Sequence, residues 1–329
     1  MLSRAADDLF WVARYVERAE NTARLLEVAD RMALMPVQAG QTNEWMSVLI
    51  AGGVEPLYRE KIGTITERET LEFMAFSEDN PSSIRNCFHV ARENARAQRH
   101  VLTRELWEAM NDTWLGIRDM NLARIEEMGR STFFDWVKQR SHLVRGAIAG
   151  TMIRDDAYHF IRLGTFIERS DSTARILDVK YHLILPDAAP VGGAADYYQW
   201  TALLQSVSAH GSYRRMTGDD VKPWKVADLL ILRPEMPRSI RFCYDELMRH
   251  LNLLSQDYGR RLESVRIAGQ MHSRLLYSQI DDIFQTGLHE FLTAVVDRNV
   301  LIGRQIARDF LLIVNGDSDD ASGESARQG

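Results

Sequence analysis

A ten-residue string occurs twice in this chain, and it limits the possible folds more strongly than any other feature of the sequence. YVERAENTAR spans residues 15–24, and FIERSDSTAR spans residues 166–175. Aligning residues 15–28 with residues 166–179 gives seven identical positions in fourteen. A string that returns after nearly half of a chain indicates an internal duplication, so we expect two halves with the same succession of elements.

Further matches follow in the same order along the chain. Trp45 pairs with Trp200 at an offset of 155, and PSSIRNCF at 81–88 pairs with PRSIRFCY at 237–244 at an offset of 156. We therefore predict a first half at 1–150 and a second half at 151–315. Residues 316–329 lack apolar residues other than alanine, so we expect a disordered tail there.

The fold class follows from the spacing of the apolar residues. Long segments carry them at helical spacing, and alternating strand patterns are nearly absent, which predicts an all-α chain. We expect the two halves to form one helical bundle with a shared core about a pseudo-twofold axis; two separately packed bundles are the alternative. The predicted helices, after a first one that ends near residue 35, span residues 42–51, 67–76, 82–111, 132–149, 154–184, 196–210, 238–262 and 278–314.

Composition excludes several classes of function. A net charge of −6 and a pI near 5.9 argue against a general nucleic-acid binder, which normally carries a basic excess. The sequence opens without the apolar core of a signal peptide, and no apolar run approaches ~18 residues. We expect a soluble, cytoplasmic protein without a membrane segment, whose two cysteines, Cys87 and Cys243, are reduced core residues.

The repeated Glu-Arg pair makes a specific structural prediction. Helical projection places Arg18 and Arg169 within apolar arcs, and it places Glu17 and Glu168 on a polar edge. Adjacent helix residues point about 100° apart, so each arginine needs a partner other than the neighbouring glutamate. Reciprocal pairs, Arg18 with Glu168 and Arg169 with Glu17, would satisfy all four charges and join the two halves.

The same residues also allow a functional interpretation, in which they line a central cleft for an anionic or peptide-like ligand. Both interpretations concern one set of side chains: Glu17, Arg18, Asn21, Arg24, Glu168, Arg169, Ser172 and Arg175. The pairs Glu20/Arg24 and Asp171/Arg175, at i and i+4, are interpreted as support on the helix surface.

Other repeated residues are secondary candidates, either as hydrogen-bonding joints or as anion contacts. They are Tyr58, Arg59, Arg85, Tyr213, Arg214 and Arg241. Arg85 and Arg241 belong to the two copies of the PxSIRxC motif, which predicts a helix start. From there, their side chains could reach the Glu-Arg helices.

Signatures of catalysis are missing from the sequence. No phosphate-binding loop of the Gly-x-x-x-x-Gly-Lys type and no Gly-x-Ser-x-Gly nucleophile turn occurs. A di-iron bundle needs two Glu-x-x-His elements, whereas Asp156-x-x-His159 occurs once. We therefore predict no metal and no cofactor, and nothing in the sequence supports catalysis by this chain alone.

Three segments together resemble the bacterial alpha-E domain family, a helical domain with a recurring Glu-Arg motif. They are MLSRAADDLFWVARYVERAENTARLL, FIRLGTFIERSDSTARILDVKYH and PRSIRFC, and the likeness extends to about Val314. The resemblance implies a partner: such domains are encoded beside, or fused to, a circularly permuted ATP-grasp enzyme, often with a transglutaminase-like peptidase. One departure is Thr165, where the first copy has Arg14, so a cleft built from both copies would be asymmetric.

Two functional hypotheses follow. In the first, the chain is a non-catalytic partner of an ATP-grasp peptide or amide ligase, and it binds the ligase or presents its peptide or amino-acid substrate. In the second, the chain is itself an enzyme that acts on a peptide or amide bond, with Glu17 or Glu168 as general acid or base.

Overall fold

The computed structural model describes residues 1, 3–34, 44–184, 194–218 and 220–310, and throughout this part of the chain the secondary structure is helical, as predicted. The helices of the first half are α1 (Ser3–Ala33), α2 (Glu44–Ala51), α3 (Glu55–Lys61), α4 (Glu67–Ala75), α5 (Ile84–Ala97), α6 (Arg104–Ile117), α7 (Leu122–Met128) and α8 (Arg130–Thr151). The predicted tail at 316–329 lies outside the described residues.

The second half repeats this order. Its helices are α9 (Asp156–Ile184), α10 (Ala194–Ser206), α11 (His210–Thr217), α12 (Pro223–Ile231), α13 (Ile240–Asp257), α14 (Glu263–Tyr277), α15 (Ile280–Thr286) and α16 (Leu288–Asp309). The equivalent helices α5 and α13 also share the same N-terminal cap. The hydroxyl of Ser83 caps α5 and that of Ser239 caps α13, each by accepting a hydrogen bond from a backbone N–H of the first turn.

Several predicted helices were too long, because apolar periodicity continues across breaks that local backbone chemistry imposes. The segment 82–111 is interrupted after Ala97, and Thr103 starts a new helix by accepting a hydrogen bond from the Leu106 N–H. Likewise 238–262 ends at Asp257, and 278–314 is divided at Gly287, whose φ of 104° is favourable only for glycine. The prediction also missed the short helices α3, α7, α11 and α12 and the longer α14.

The two long helices α1 and α9 lie at the centre of the molecule. Of the 31 residues of α1, 20 are buried, so this helix is enclosed on nearly all sides rather than amphipathic. It packs against α5 and α8 of its own half, and α9 packs in the same way against α13 and α16. Since α2 contacts α9 and α10 contacts α1, each half also wraps the long helix of the other.

The apolar core crosses the boundary between the halves. One cluster of buried side chains contains Phe10 and Leu26 of the first half together with Phe166 and Leu177 of the second. A smaller cluster also draws on both halves, joining Leu9 to Ile161. Both cysteines are buried and free. Because the core is continuous, the polar residues between α1 and α9 lie in the interior.

The close approach of α1 and α9 depends on Gly164. A Cβ atom added at this residue would lie 2.2 Å from the backbone oxygen of Phe10 and 3.3 Å from the Cβ of Ala13. Ala13 is the residue that the repeat aligns with Gly164, so the helices cross at two small side chains. No side chain larger than hydrogen fits at Gly164 without separating the two helices.

Replacing Gly164 by Ala should therefore lower the free energy of unfolding by about 1–3 kcal/mol, the usual cost of overpacking a core. Gly146→Ala is the matched control, because a Cβ atom at this α8 position meets nothing within 4 Å. There the higher helix propensity of alanine should stabilise the protein by about 0.5–1 kcal/mol. Denaturant unfolding of both variants measures the difference, and equal stabilities would contradict the proposed tight crossing.

Candidate functional site

The two Glu-Arg pairs of the repeat form crossed ion pairs between α1 and α9, which confirms the predicted pairing. Arg18 donates from Nε to Oε1 of Glu168 at 2.6 Å and from Nη2 to Oε2 at 3.1 Å. In the reciprocal pair, Arg169 donates from Nη2 to Oε1 of Glu17 at 2.6 Å and from Nε to Oε2 at 3.2 Å. Both contacts are two-pronged, the strongest geometry for a guanidinium and a carboxylate.

Each glutamate also binds a second arginine, and the two halves supply it differently. Arg14 of α1 donates to Oε2 of Glu168 at 2.8 Å, whereas Arg145 of α8 donates to Oε1 of Glu17 at 2.6 Å. The position equivalent to Arg145 in α16 is Gly303, since each stands sixteen residues after the glycine that precedes its helix. A Cβ atom at Gly303 would lie 3.6 Å from Nη1 of Arg14. The Arg14 guanidinium therefore takes the space over Gly303, which compensates for the departure noted at Thr165.

The neighbouring arginines lower the pKa of both glutamates. Burial by itself would raise the pKa of Glu17, but Arg145 and Arg169 outweigh this effect and lower the pKa to about 2. Burial likewise opposes Arg18 and Arg14 at Glu168, where the pKa is again lowered to about 2. Both carboxylates are thus ionised at neutral pH, and both oxygens of each accept hydrogen bonds from arginine.

Helical projection placed Arg18 in an apolar arc and Glu17 on a polar edge, and in the structure the glutamate is the more buried of the two. Glu17 is only 1% exposed, whereas the side chain of Arg18 is 25% exposed. The supposed edge of α1 is covered by α8 and α9, so its carboxylates face the interior. Helical projection of one helix cannot show this, because a polar stripe matched by a polar stripe on a neighbour can also be buried.

Glu20 forms a second buried cluster, which corrects the interpretation of Glu20/Arg24 as a surface pair. Glu20 is fully buried and accepts hydrogen bonds from Arg24 at 2.7 Å, from Arg145 at 2.5 Å and from Arg238. Burial opposes ionisation of this carboxyl group, yet the three guanidinium groups hold its pKa well below the usual range. Arg238 also donates to Oδ1 of Asn21 at 3.3 Å.

Next to the crossed pair of Arg18 and Glu168 lies a cavity of about 210 Å³ that opens between the two halves. Its walls come from α1, from α9, from the glycine turn after α2 and from the turn before α5. Of the predicted site residues, the cavity brings together Arg18, Asn21, Glu168, Ser172 and Arg175. Glu17, Arg24 and Arg169 belong to the closed clusters on the other side.

Two donor groups in the cavity wall lack a partner. Asn21 is 5% exposed and Ser172 is 6% exposed, and within the described residues neither the Nδ2 of Asn21 nor the Oγ of Ser172 has a hydrogen-bond partner. Leaving a buried polar group unpaired costs about 1–3 kcal/mol, so such groups are rare without a reason. Donors held unpaired in a cavity wall indicate a place for a ligand oxygen or for water.

The repeat shows how the position next to this cavity differs from its equivalent in the other half. Arg175 donates to the backbone oxygen of Ala51, and its equivalent Arg24 donates to that of Ser206, so the two sides share a framework. The difference lies in the turn before α5 and α13, where Ser82 aligns with Arg238. The long side chain of Arg238 fills the second position with a guanidinium group, whereas the short Ser82 leaves the first one open.

The secondary candidates do not reach this region. The hydroxyl groups of Tyr58 and Tyr213 donate to backbone oxygens six and seven residues further on, so these side chains fix local turns. Arg59 pairs with Glu55 within its own helix. Arg85 donates to the backbone oxygens of Phe76 and Met120, and Arg241 bonds Asp245, so neither contacts the Glu-Arg helices. Arg214 is exposed.

The described residues contain neither a group of metal ligands nor a membrane-spanning helix. Within them, no three His, Cys, Asp or Glu side chains are grouped so that they could hold a metal ion. His159 instead packs against His250, with their Nδ1 atoms 2.9 Å apart. No described helix combines the length and the apolar character needed to cross a bilayer.

Four residues of the buried network were missed as candidates by the sequence analysis: Arg14, Glu20, Arg145 and Arg238. A signal for Arg238 was present, because it is the one position of the PxSIRxC motif at which the copies differ in charge. Arg145 had no such signal, since nothing in the repeat singles out its position on α8.

Comparison with known proteins gives a family but no described activity. A family model described as "a predicted alpha-helical domain with a conserved ER motif", Alpha-E, matches residues 1–311. Similar curated proteins are uncharacterized proteins of Mycobacterium bovis and Mycobacterium tuberculosis, each 23% identical over 337 residues. The alignments cover 92% of this chain but only 37% of the length of these relatives. No solved structure matches the chain.

Proposed function

The chain belongs to the Alpha-E family, and we propose that it is a non-catalytic helical binding domain that serves an ATP-grasp peptide or amide ligase. In this role the cavity beside Arg18 holds an amino-acid or peptide-like substrate of the ligase. The ATP-grasp partner is the one that the family resemblance implies. The activity itself belongs to the partner and not to this chain.

One observation carries the proposal, namely the contrast between the closed ion pairs and the cavity beside them. The Glu-Arg motif has its charges satisfied across α1 and α9, so it acts as the frame that sets the distance between the helices. Asn21 and Ser172, whose donor groups have no hydrogen-bond partner among the described residues, line the cavity on that frame. Its volume of about 210 Å³ is below the ~300–1,000 Å³ typical of sites for drug-sized ligands, and it therefore suits a single amino acid or a short peptide end.

The alternative, an enzyme that uses Glu17 or Glu168, is disfavoured by the protonation state of these groups. An efficient general base or acid has a pKa near the working pH. At about 2, the pKa of each glutamate leaves it a weak base, and both oxygens of each already accept hydrogen bonds from arginine. Glu17, at 1% exposure, is also shielded from any substrate.

The length of the relatives is consistent with a domain that acts together with other domains. This chain corresponds to 37% of the mycobacterial proteins, so most of each of those proteins lies outside the matched region. A binding domain covalently joined to its enzyme would hold a substrate at high effective concentration near the catalytic site.

A direct test combines the full chain with a circularly permuted ATP-grasp protein from the same genome. We expect a complex that survives size-exclusion chromatography, and ligation turnover that rises when the chain is added. Glu108→Gln, on the exposed face of α6, should leave both readouts unchanged. Absence of a complex, together with ligase turnover that does not respond to the chain, would rule the proposal out.

A further inference from the structure

We infer that the cavity beside Arg18 recognises a primary ammonium group with a neighbouring carbonyl or carboxylate oxygen, the chemistry of a free amino acid or of a peptide amino terminus. This inference rests on the proposed function, and it specifies the end of the substrate that this chain holds. Asp171 would accept from the ammonium group, while Asn21 and Ser172 would donate to the oxygen.

The molecule already contains a filled version of this site. On the closed side, the carboxylate of Glu20 binds the guanidinium group of Arg238 in addition to Arg24 and Arg145. The repeat aligns Glu20 with Asp171 and Arg24 with Arg175, but it aligns Arg238 with Ser82 and Arg145 with Gly303. The open side therefore keeps the carboxylate without the guanidinium group of Arg238, and the Arg14 guanidinium that lies over Gly303 bonds Glu168 rather than Asp171.

Asp171 has fewer cationic partners than Glu20. In the described part of the chain, Arg175 is its single ion-pair partner, with Nε 2.6 Å from Oδ2. Burial raises the pKa of Asp171, and the nearby Glu168 adds to this effect, although Arg175 and, less strongly, Arg14 oppose it. The pKa of Glu20 moves in the opposite direction. A half-buried carboxylate with one ion-pair partner favours a further cationic occupant, which Arg238 supplies on the other side.

Asn21 and Ser172 offer hydrogen-bond donors to an oxygen of the ligand. Arg238 occupies Oδ1 of Asn21, so the Nδ2 amide that remains can only donate. The unpaired hydroxyl of Ser172 can donate to the same atom. An occupant with an N–H group for Asp171 and an oxygen for these donors must carry both groups close together, as an α-amino acid or a peptide amino terminus does.

Gly53 shows that the wall is shaped for close approach. Its φ of 68° favours glycine, and a Cβ atom there would lie 3.3 Å from Nη1 of Arg175. Arg175 is thereby held between the glycine turn and Asp171 and does not extend across the cavity. The space next to Asp171 stays available to a ligand.

The test is titration calorimetry on the full chain with small probes that separate the two groups. L-Alanine and L-alanyl-L-alanine carry both groups, N-acetyl-L-alanine lacks the ammonium, propylamine lacks the oxygen, and inorganic phosphate is a plain anion. We expect alanine or the dipeptide to bind and the other three to fail, and the stronger of the two identifies a free amino acid or a peptide as the source. Tighter binding of phosphate or N-acetylalanine, or no binding of any probe, would overturn the inference.

Two variants assign the binding to this cavity. Ser82→Arg introduces the residue that Arg238 provides at the equivalent position of the closed side, so its guanidinium group should fill the cavity and abolish binding. Asp171→Asn should weaken binding about tenfold to a hundredfold, the range for losing a charge-assisted hydrogen bond, without lowering the melting temperature, because the carboxylate it replaces is undercompensated. The control is Asp119→Asn, an exposed carboxylate outside the cavity, which should bind as the wild type does. Unchanged affinity in Asp171→Asn would place the ammonium elsewhere.

Failure of this inference is separable from failure of the proposed function. A chain that forms the ligase complex and raises turnover, but binds none of the amine probes, would retain the partner role and lose the assigned ligand. A chain that binds alanine through Asp171 but does not affect the ligase would retain the site and lose the partner.

Discussion

Replacing Glu17 by Gln is expected to lower the free energy of unfolding by about 3–5 kcal/mol, the cost of leaving a buried charge without its partner. Glutamine keeps the size of the side chain but removes the negative charge between Arg145 and Arg169. Both guanidinium groups would then lie in the interior with Glu20 as the nearest remaining carboxylate for one of them. Urea unfolding of the variant and of the wild type measures the difference.

Glu168→Gln provides the comparison within the same motif. Its arginine partners, Arg14 and Arg18, have side chains that are 17% and 25% exposed, so water can compensate part of the lost charge. We expect a loss smaller than that for Glu17→Gln. Glu108→Gln breaks an exposed pair on α6 and should not measurably change stability. Equal effects of all three substitutions would contradict an interior position for the Glu17 ion pair.

Acid should destabilise the protein in a defined window, between about pH 4.5 and pH 2. The pKa of Glu17 and that of Glu168 are each about 2 in the folded chain, against 4.5 for an unperturbed glutamate. A lowered folded pKa means that the stabilisation is complete above the unfolded pKa and is lost as the pH falls through the folded one. The difference corresponds to roughly 3 kcal/mol for each glutamate.

Unfolding free energies measured by urea titration at several pH values in this window test the prediction. The slope of stability against pH should be positive, and it should become shallower in Glu17→Gln, which lacks one of the carboxylates whose pKa is lowered in the folded chain. Asp171 contributes with the opposite sign, since burial raises its pKa and its ionisation therefore disfavours the folded state. A stability that does not change between pH 4.5 and pH 2 would show that the two carboxylates are not held by the arginines.

These expectations distinguish a structural role from a binding role within one repeated motif. Glu17 and Arg169 are enclosed, and changing them should act through stability. Asp171 and Ser172 lie beside an open cavity, and changing them should act through ligand affinity while the fold persists. Duplication thus supplies two equivalent positions, of which one is closed by Arg238 and the other is available for a ligand.

Much of the fold could be predicted from the sequence because the responsible signals are local or repeated. Apolar spacing predicted the helical class, and the returned Glu-Arg string predicted which arginine meets which glutamate. An arginine in an apolar helix requires a carboxylate, and the repeat offered one at the reciprocal position. Helix ends were predicted less well, since capping at Thr103 and positive φ at Gly287 override continuing periodicity.

The depth of the polar residues and the existence of the cavity were decided by tertiary structure. Projection assigned Glu17 to a polar edge but could not show that this edge is buried, because the sequence of one helix does not show which of its faces a neighbour will cover. Arg145 entered the network through the packing of α8, at a separation of 128 residues from Glu17. In the aligned sequences, Ser82 and Arg238 are an ordinary difference. Only three-dimensional packing shows that Arg238 fills its position beside Glu20, whereas Ser82 lies beside an open cavity.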